Sequence, residues 1–194
     1  TRVKKDTFYA LTQDRAIRLP TPPQMYNRGN YIVSLSKVCR WLAEEAERLG
    51  VVIIPGYAAA KPLFNKEGAV EGVQTGDMGR LKDGSEGPSF EPGTAIFAKH
   101  TVLAEGCRGS MTEELIRKYD LRKNAQMQTY AIGVKEVWGV SKGQFQDGLV
   151  MHTLGWPFES DVYGGSFLYH LSENLISVGF VIGLDYKNPY MSPY

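Results

Sequence analysis

Cysteine and histidine are scarce in this sequence. Its 194 residues include 2 Cys and 3 His. Two thiols, Cys39 and Cys107, build no disulfide framework, and neither belongs to a CxxC pair. An iron–sulfur cluster takes a full set of cysteine thiolates, so this stretch holds none by itself. His100, His152 and His170 stand at no ligand-like spacing, which argues against a metal site. The apolar runs are short, far below the ~20 residues of a membrane-spanning helix. The opening Thr1-Arg-Val-Lys-Lys-Asp lacks the apolar core of a signal peptide. No Met begins the chain, so it reads as an excised or processed piece. Neither charge sign dominates: 22 Lys and Arg face 21 Asp and Glu, a net charge of +1. That is no electrostatic footprint for nucleic acid. Peripheral attachment to a membrane needs only a surface patch and stays open.

What is present is enough for a core. Apolar residues make up 43% of the chain, with 11 Tyr, 8 Phe and 3 Trp. "FYALT" (8–12) and "RAIRLP" (15–20) pair as a hairpin around Gln13-Asp14, and the prolines of "PTPPQ" (20–24) then break any ladder. Leu35, Val38, Cys39, Leu42, Ala46 and Leu49 recur at helical spacing, which predicts a helix over 34–49 with Ser34 at its start and Gly50 at its end. "VVIIP" (51–55) follows as a short buried strand, and a helix feeding such a strand suggests an α/β layer. "KPLFN" and "AVEGVQT" flank a turn at Lys66-Glu67-Gly68, and Asp83-Gly84 marks a second turn. "TAIFAK" (94–99) alternates, whereas "TVLA" (101–104) is apolar on both faces, as an internal parallel strand is. Ser110 and Glu113 form a capping box for a helix over 111–119, and Glu114 and Lys118 add a pair one turn apart.

The style changes after Asn124. "TYAIGVKEVW" (129–138), "LVMHTLGW" (149–156), "SFLYHL" (166–171) and "LISVGFVIG" (175–183) are strands, and "SEN" (172–174) is a hairpin loop. Four strands in succession predict an antiparallel sheet. The chain therefore divides into an extended hairpin over 1–29 that joins this sheet, an α/β portion over 30–126, and a β-rich portion over 127–194. The fold class is α+β.

Two stretches invite chemistry. "VLAEGCRGSMTEEL" (102–115) is laid out as strand, glycine turn and helix, which suits an anion at the helix start. A complete dinucleotide site also needs a first glycine-rich turn of the GxGxxG kind, and none is present. Spacing alone favours a plain strand-to-helix connection. Cys107 beside Arg108 has no His or Asp partner in sequence and reads as a tolerated small residue. "YGGSFLYHL" (163–171) sets two glycines before an aromatic strand. Backbone there can approach a flat ligand, with Tyr163, Phe167 and Tyr169 as walls; a bulge or turn that needs glycine is the plainer reading.

A resemblance narrows these alternatives. "GNYIVSLSKVCRWLAEEAERLGV", "PGYAAAKPLF", "AEGCRGSMTEEL", "QTYAIGVKEVW", "HTLGWP", "YGGSFLYHL" and "VGFVIGLDYKNPYMSP" are similar, in order, to the middle of the electron transfer flavoprotein–ubiquinone oxidoreductase family. The resemblance implies a peripheral inner-membrane flavoprotein, on the mitochondrial matrix or bacterial cytoplasmic side, that passes electrons from reduced electron transfer flavoprotein to ubiquinone. It implies FAD and one [4Fe–4S] cluster in the full-length enzyme, neither stably bound by this stretch. The α/β portion becomes part of a glutathione reductase-like FAD domain, and the β-rich portion becomes the ubiquinone-binding domain. The family's quinone contacts map to Gly164 and Gly165, with Tyr163 and Phe167 beside them. Its FAD contacts map to Glu105, Gly106 and Ala58. "LPTPPQMY" is a candidate membrane-facing region. A geranylgeranyl reductase or FixC-type flavoprotein, or a non-catalytic quinone- or lipid-binding module, is the alternative; "YGGSFLYHL" with "GLDYKNPY" favours the quinone enzyme.

Overall fold

A computed structural model describes residues 1–193. Tyr194, the last residue of the β-rich portion, lies outside the described residues. The chain runs through β1 (Lys5–Leu11), β2 (Ala16–Leu19), a 3-10 turn (Pro23–Met25), α1 (Leu35–Arg48), β3 (Ala59–Phe64), β4 (Val70–Thr75), β5 (Met78–Arg80), β6 (Glu86–Glu91) and β7 (Ala95–Phe97). It continues through α2 (Ser110–Tyr119), β8 (Ala131–Gly139), β9 (Leu149–Gly155), β10 (Gly164–His170) and β11 (Leu175–Gly183). These elements group into two compact units: Thr1–Ala46 with the residues from Gln128 onward, and Glu47–Met127. The class is α+β, with mostly antiparallel pairing.

The first unit is built on a six-stranded sheet in the order β2-β1-β9-β10-β11-β8. The opening hairpin turns where Thr12 N–H donates to the Arg15 carbonyl (2.8 Å) and Thr12 Oγ1 accepts from Arg15 N–H (3.0 Å). Its inner strand β1 lies parallel to β9, from Lys5 opposite Leu149 to Leu11 opposite Gly155. The hairpin thus covers the edge that β9 would otherwise present. β10 and β11 are joined by a tight turn in which Glu173 and Asn174 both have φ of 58° and Leu175 N–H donates to the Ser172 carbonyl. The ladder runs to His170 opposite Ile176, and Leu171 N–H donates to the Leu175 carbonyl, so the connection is the three-residue loop 172–174. Val3, Phe8, Leu149, Val150 and Ile182 are the buried apolar side chains of this unit. His170 is also buried, and its Nδ1 accepts the Gln146 N–H at 3.0 Å, which pins the β8–β9 connection to β10. Helix α1 forms as the spacing predicts, but none of its residues is buried and Leu35, Trp41 and Leu42 are exposed.

The second unit holds a three-stranded sheet, β3-β4-β7, and a separate β5-β6 ribbon. Asn65 Oδ1 accepts from Glu67 and Ala69 N–H to make the β3–β4 turn, with Gly68 at φ 82°. Asp83-Gly84 turns β5 into β6 with Gly84 at φ 87°. Helix α2 packs on β3 through Tyr119, whose ring meets Phe64 edge-on and whose hydroxyl donates to the Gly68 carbonyl (2.6 Å). Lys118 sits 4.4 Å from the Phe64 ring centre.

Three sequence expectations fail in this unit. "VVIIP" and "TVLA" are not strands: both lack ladder partners, and Val52 and Val102 are 81% and 87% exposed. A run apolar on both faces becomes a strand only when flanked on both edges and covered on both faces, and no described strand does so here. The capping box at Ser110 does not form either. Gly109 takes the cap position, which moves Ser110 into the first turn, and the Glu105 carboxylate accepts instead from Met111 N–H, Thr112 N–H and Thr112 Oγ1.

Candidate functional site

The two glycines at the head of β10 shape a cleft. Both are opposite β11, as Gly164↔Ile182 and Gly165↔Val181, whereas pairing to β9 begins only at Ser166↔Thr153. Neither has a positive φ, so space and not backbone handedness calls for glycine. A Cβ on Gly165 would lie 2.3 Å from the Thr153 carbonyl oxygen. One on Gly164 would lie 2.6 Å from the Val181 oxygen and 2.9 Å from the Phe158 ring. Tyr163 pairs with Gly183, whose N–H donates to the Tyr163 carbonyl at 2.7 Å. By strand alternation, Gly164 then directs its own N–H and C=O away from β11, to the side where β9 has ended.

β9 ends because Gly155, at φ 91°, turns the chain. Trp156 N–H donates to the Leu11 carbonyl and Phe158 N–H to the Gly155 carbonyl, both at 3.0 Å. The turn lays Trp156 and Phe158 beside the start of β10, and the Phe158 ring tilts against Phe180 of β11 at 6.0 Å. The cleft so formed has a volume of about 380 Å³. Gly165, Ser166, Trp156, Phe158, Phe180 and Met191 are among its walls. On its floor the hydroxyls of Thr153 and Ser166 are hydrogen-bonded to each other, and Thr153 Oγ1 also accepts the Ser166 N–H at 3.3 Å.

Of the residues singled out in the sequence, Gly165 lines this cleft and Gly164 adjoins it. Tyr163 precedes them with its side chain 81% exposed. Phe167 does not meet the cleft. Alternate residues of a strand face opposite ways, so Phe167 lies on the face opposite the Ser166 side chain, tilted on Tyr169 at 5.0 Å. It fills the space over Gly179, where a Cβ would come within 2.8 Å of the Phe167 ring. Sequence reasoning missed Trp156, Phe158, Phe180 and Ser166. A signal existed for Phe180, since the three-residue loop read at 172–174 fixes the register that sets it opposite Ser166.

The other face of the sheet carries a second cleft of about 450 Å³ with His152 and Tyr169 in its floor and Asn27 and Tyr31 among its walls. His152 Nε2 and the Tyr169 hydroxyl are 2.7 Å apart. Burial holds the His152 imidazole below its usual range, with Asp6 opposing, and raises the Tyr169 phenol. Both rings are therefore neutral at neutral pH.

In the second unit, Glu105 and Gly106 lie in the connection before α2, and Ala58 lies just before β3. The helix start does not fit a phosphate, because the Met111 and Thr112 amides are already taken by Glu105. The hydrogen bonds from Thr112 hold that carboxyl below the usual glutamate range. What this region has to offer a flavin is backbone: Gly106 at φ 84°, and Ala58, whose carbonyl accepts from Gly76 N–H. Cys39 and Cys107 are exposed free thiols. Among the described residues no group of three or more His, Cys, Asp or Glu side chains is arranged to hold a metal, and no helix is long and apolar enough to cross a membrane.

Residues 130–194 match the family model for the ubiquinone-binding domain of ETF-QO. Across the whole chain, identity is 50% to a mitochondrial electron transfer flavoprotein–ubiquinone oxidoreductase of Dictyostelium discoideum, covering 100% of this chain and 32% of the relative. The protein of that name from Bos taurus is 49% identical, again over 100% of the chain and 32% of the relative. That from Oryza sativa is 48% identical over 99% and 33%. The chain thus spans about a third of the length of these relatives. From end to end, the chain is thus similar to members of the electron transfer flavoprotein–ubiquinone oxidoreductase family.

Proposed function

We propose that this stretch forms the ubiquinone site of an enzyme that passes electrons from reduced electron transfer flavoprotein to ubiquinone. The observation that carries the reading is the side-chain-free backbone of Gly164 and Gly165 at an apolar, aromatic cleft. A quinone head is flat, and its only strong polar groups are carbonyl acceptors. It calls for a narrow gap, a few donors and apolar walls. The glycines let the Thr153 carbonyl and the Phe158 ring close onto β10, the Gly164 peptide groups point to the side where β9 has ended, and Trp156, Phe158, Phe180 and Met191 supply the walls. Tyr163 flanks this edge, and Phe167 supports β10 from behind.

In the whole protein, FAD and a [4Fe–4S] cluster would supply the electron-carrying chemistry. The second unit would contribute part of a glutathione reductase-like FAD domain, with Gly106, Glu105 and Ala58 along the connections that meet the flavin. Glu105 acts there by fixing the start of α2. Acid–base catalysis has no central part in such a task; the protein holds the centres close and tunes them. Contact with the inner membrane would be peripheral. Exposed Trp156, Tyr163 and Tyr190, at or beside the cleft walls, suit a lipid–water boundary. The test is Gly165→Val in the full-length enzyme. Ubiquinone reduction is lost while reduction of the flavin by electron transfer flavoprotein persists. Unchanged ubiquinone reduction contradicts the proposal.

A further inference from the structure

The hydroxyl pair on the cleft floor has one proton more than it uses. Thr153 Oγ1 and Ser166 Oγ are in direct hydrogen-bond contact, and each hydroxyl has a single proton to donate. One proton makes the bond between them. The other needs an acceptor, and among the described residues neither side chain has another. The direction follows from the third member of the chain. Ser166 N–H donates to Thr153 Oγ1 at 3.3 Å. An oxygen that accepts one hydrogen bond becomes a better donor of its own proton, so the favoured order runs Ser166 N–H to Thr153 Oγ1, then Thr153 O–H to Ser166 Oγ. That leaves the Ser166 proton at the end of a polarised chain. Thr153 and Ser166 both line the cleft beside Gly165; Ser192 is the one other side-chain hydroxyl in its lining, and the remaining walls are mainly apolar.

We infer that the Ser166 hydroxyl donates a hydrogen bond to a carbonyl oxygen of the quinone head group, with Thr153 as the positioning residue behind it. This rests on the cleft being the ubiquinone site. Leaving the hydroxyl without an acceptor in an apolar cleft costs free energy, so a ligand that ends in a carbonyl is preferred over an apolar ring of the same shape.

The full-length enzyme with a short-tailed ubiquinone, carrying 13C at one carbonyl or the other, tests this by difference infrared spectroscopy. A hydrogen bond lowers the carbonyl stretching frequency. In the unaltered enzyme one of the two labelled carbonyls gives a lowered band. Ser166→Ala moves that band up towards the free carbonyl and raises KM for the quinone about tenfold, the effect of one hydrogen bond. Thr153→Val keeps the Ser166 hydroxyl but removes its support, and shifts the same band by less. A band that Ser166→Ala leaves in place overturns the inference even where quinone binds. Quinone bands insensitive to Gly165→Val overturn the site itself, and the inference with it.

Discussion

The two units are apolar in similar proportion and put those residues to different use. In the first, strands distant in sequence pair with each other, β1 with β9 most of all, and the sheet buries Val3, Phe8, Leu149, Val150 and Ile182. In the second, Met111 is the buried large apolar side chain among the described residues, and the runs at 51–55 and 101–104 form no strand and leave Val51, Val52, Ile53, Ile54 and Val102 exposed. An apolar run is a strand only in company. The sheet unit has its company within these residues, whereas the α/β pattern of the second unit has none to pair with.

The sharpest way to break this contrast is at the glycines that let the sheet close. Gly155 combines φ of 91° with a Leu11 oxygen that would lie 2.5 Å from a Cβ. Gly155→Ala is expected to destabilise the sheet unit by about 3 kcal/mol, read in a urea melt. Gly165→Ala meets the Thr153 carbonyl at a relaxed φ; about 2 kcal/mol is expected, together with weaker quinone binding. In the second unit Gly68 also has a positive φ of 82°, but nothing lies within 4 Å of an added Cβ. Gly68→Ala there costs only about 1 kcal/mol.

Acid separates the units by pH window. His152 and His170 are both held below the ordinary imidazole value of 6.5 by burial. The unfolded chain then binds protons first, so the stability they confer is full above 6.5 and is lost as pH falls through their lower folded values. Glu105 is held below its ordinary 4.5 by its bonds to Thr112, so its contribution is full above 4.5 and disappears only in stronger acid. Amide exchange followed by pH is expected to rise first around Gln146 and His170, and later at Met111 and Thr112. Glu105→Gln removes the second effect and leaves the first. Loss of protection in the reverse order contradicts the assignment.

Much of the sheet was legible because its signals are local. Alternating aromatic and β-branched residues gave all four strands from 129 on, and "SEN" gave the turn and hence the register. The start of α2 was less legible. The capping box read at Ser110 loses to Glu105, whose reach across the Gly106–Gly109 turn has no fixed spacing in sequence. The site was legible by half. Paired glycines announce a close approach, but what approaches, Phe158 and Phe180, is set by the turn at Gly155 and by pairing across the sheet. Phe167 shows the limit most clearly: three residues after Gly164 it shares the motif, yet strand alternation turns it to the other face.

The central claim is that quinone binds at the Gly165 edge and not at the larger cleft beneath His152 and Tyr169. An amide 15N–1H NMR titration of the labelled chain with a short-tailed ubiquinone analogue tests it directly. The account predicts saturable shifts clustered at Gly164, Gly165, Ser166, Phe158 and Phe180. Shifts confined to Asn27, Tyr31, His152 and Tyr169 would contradict it.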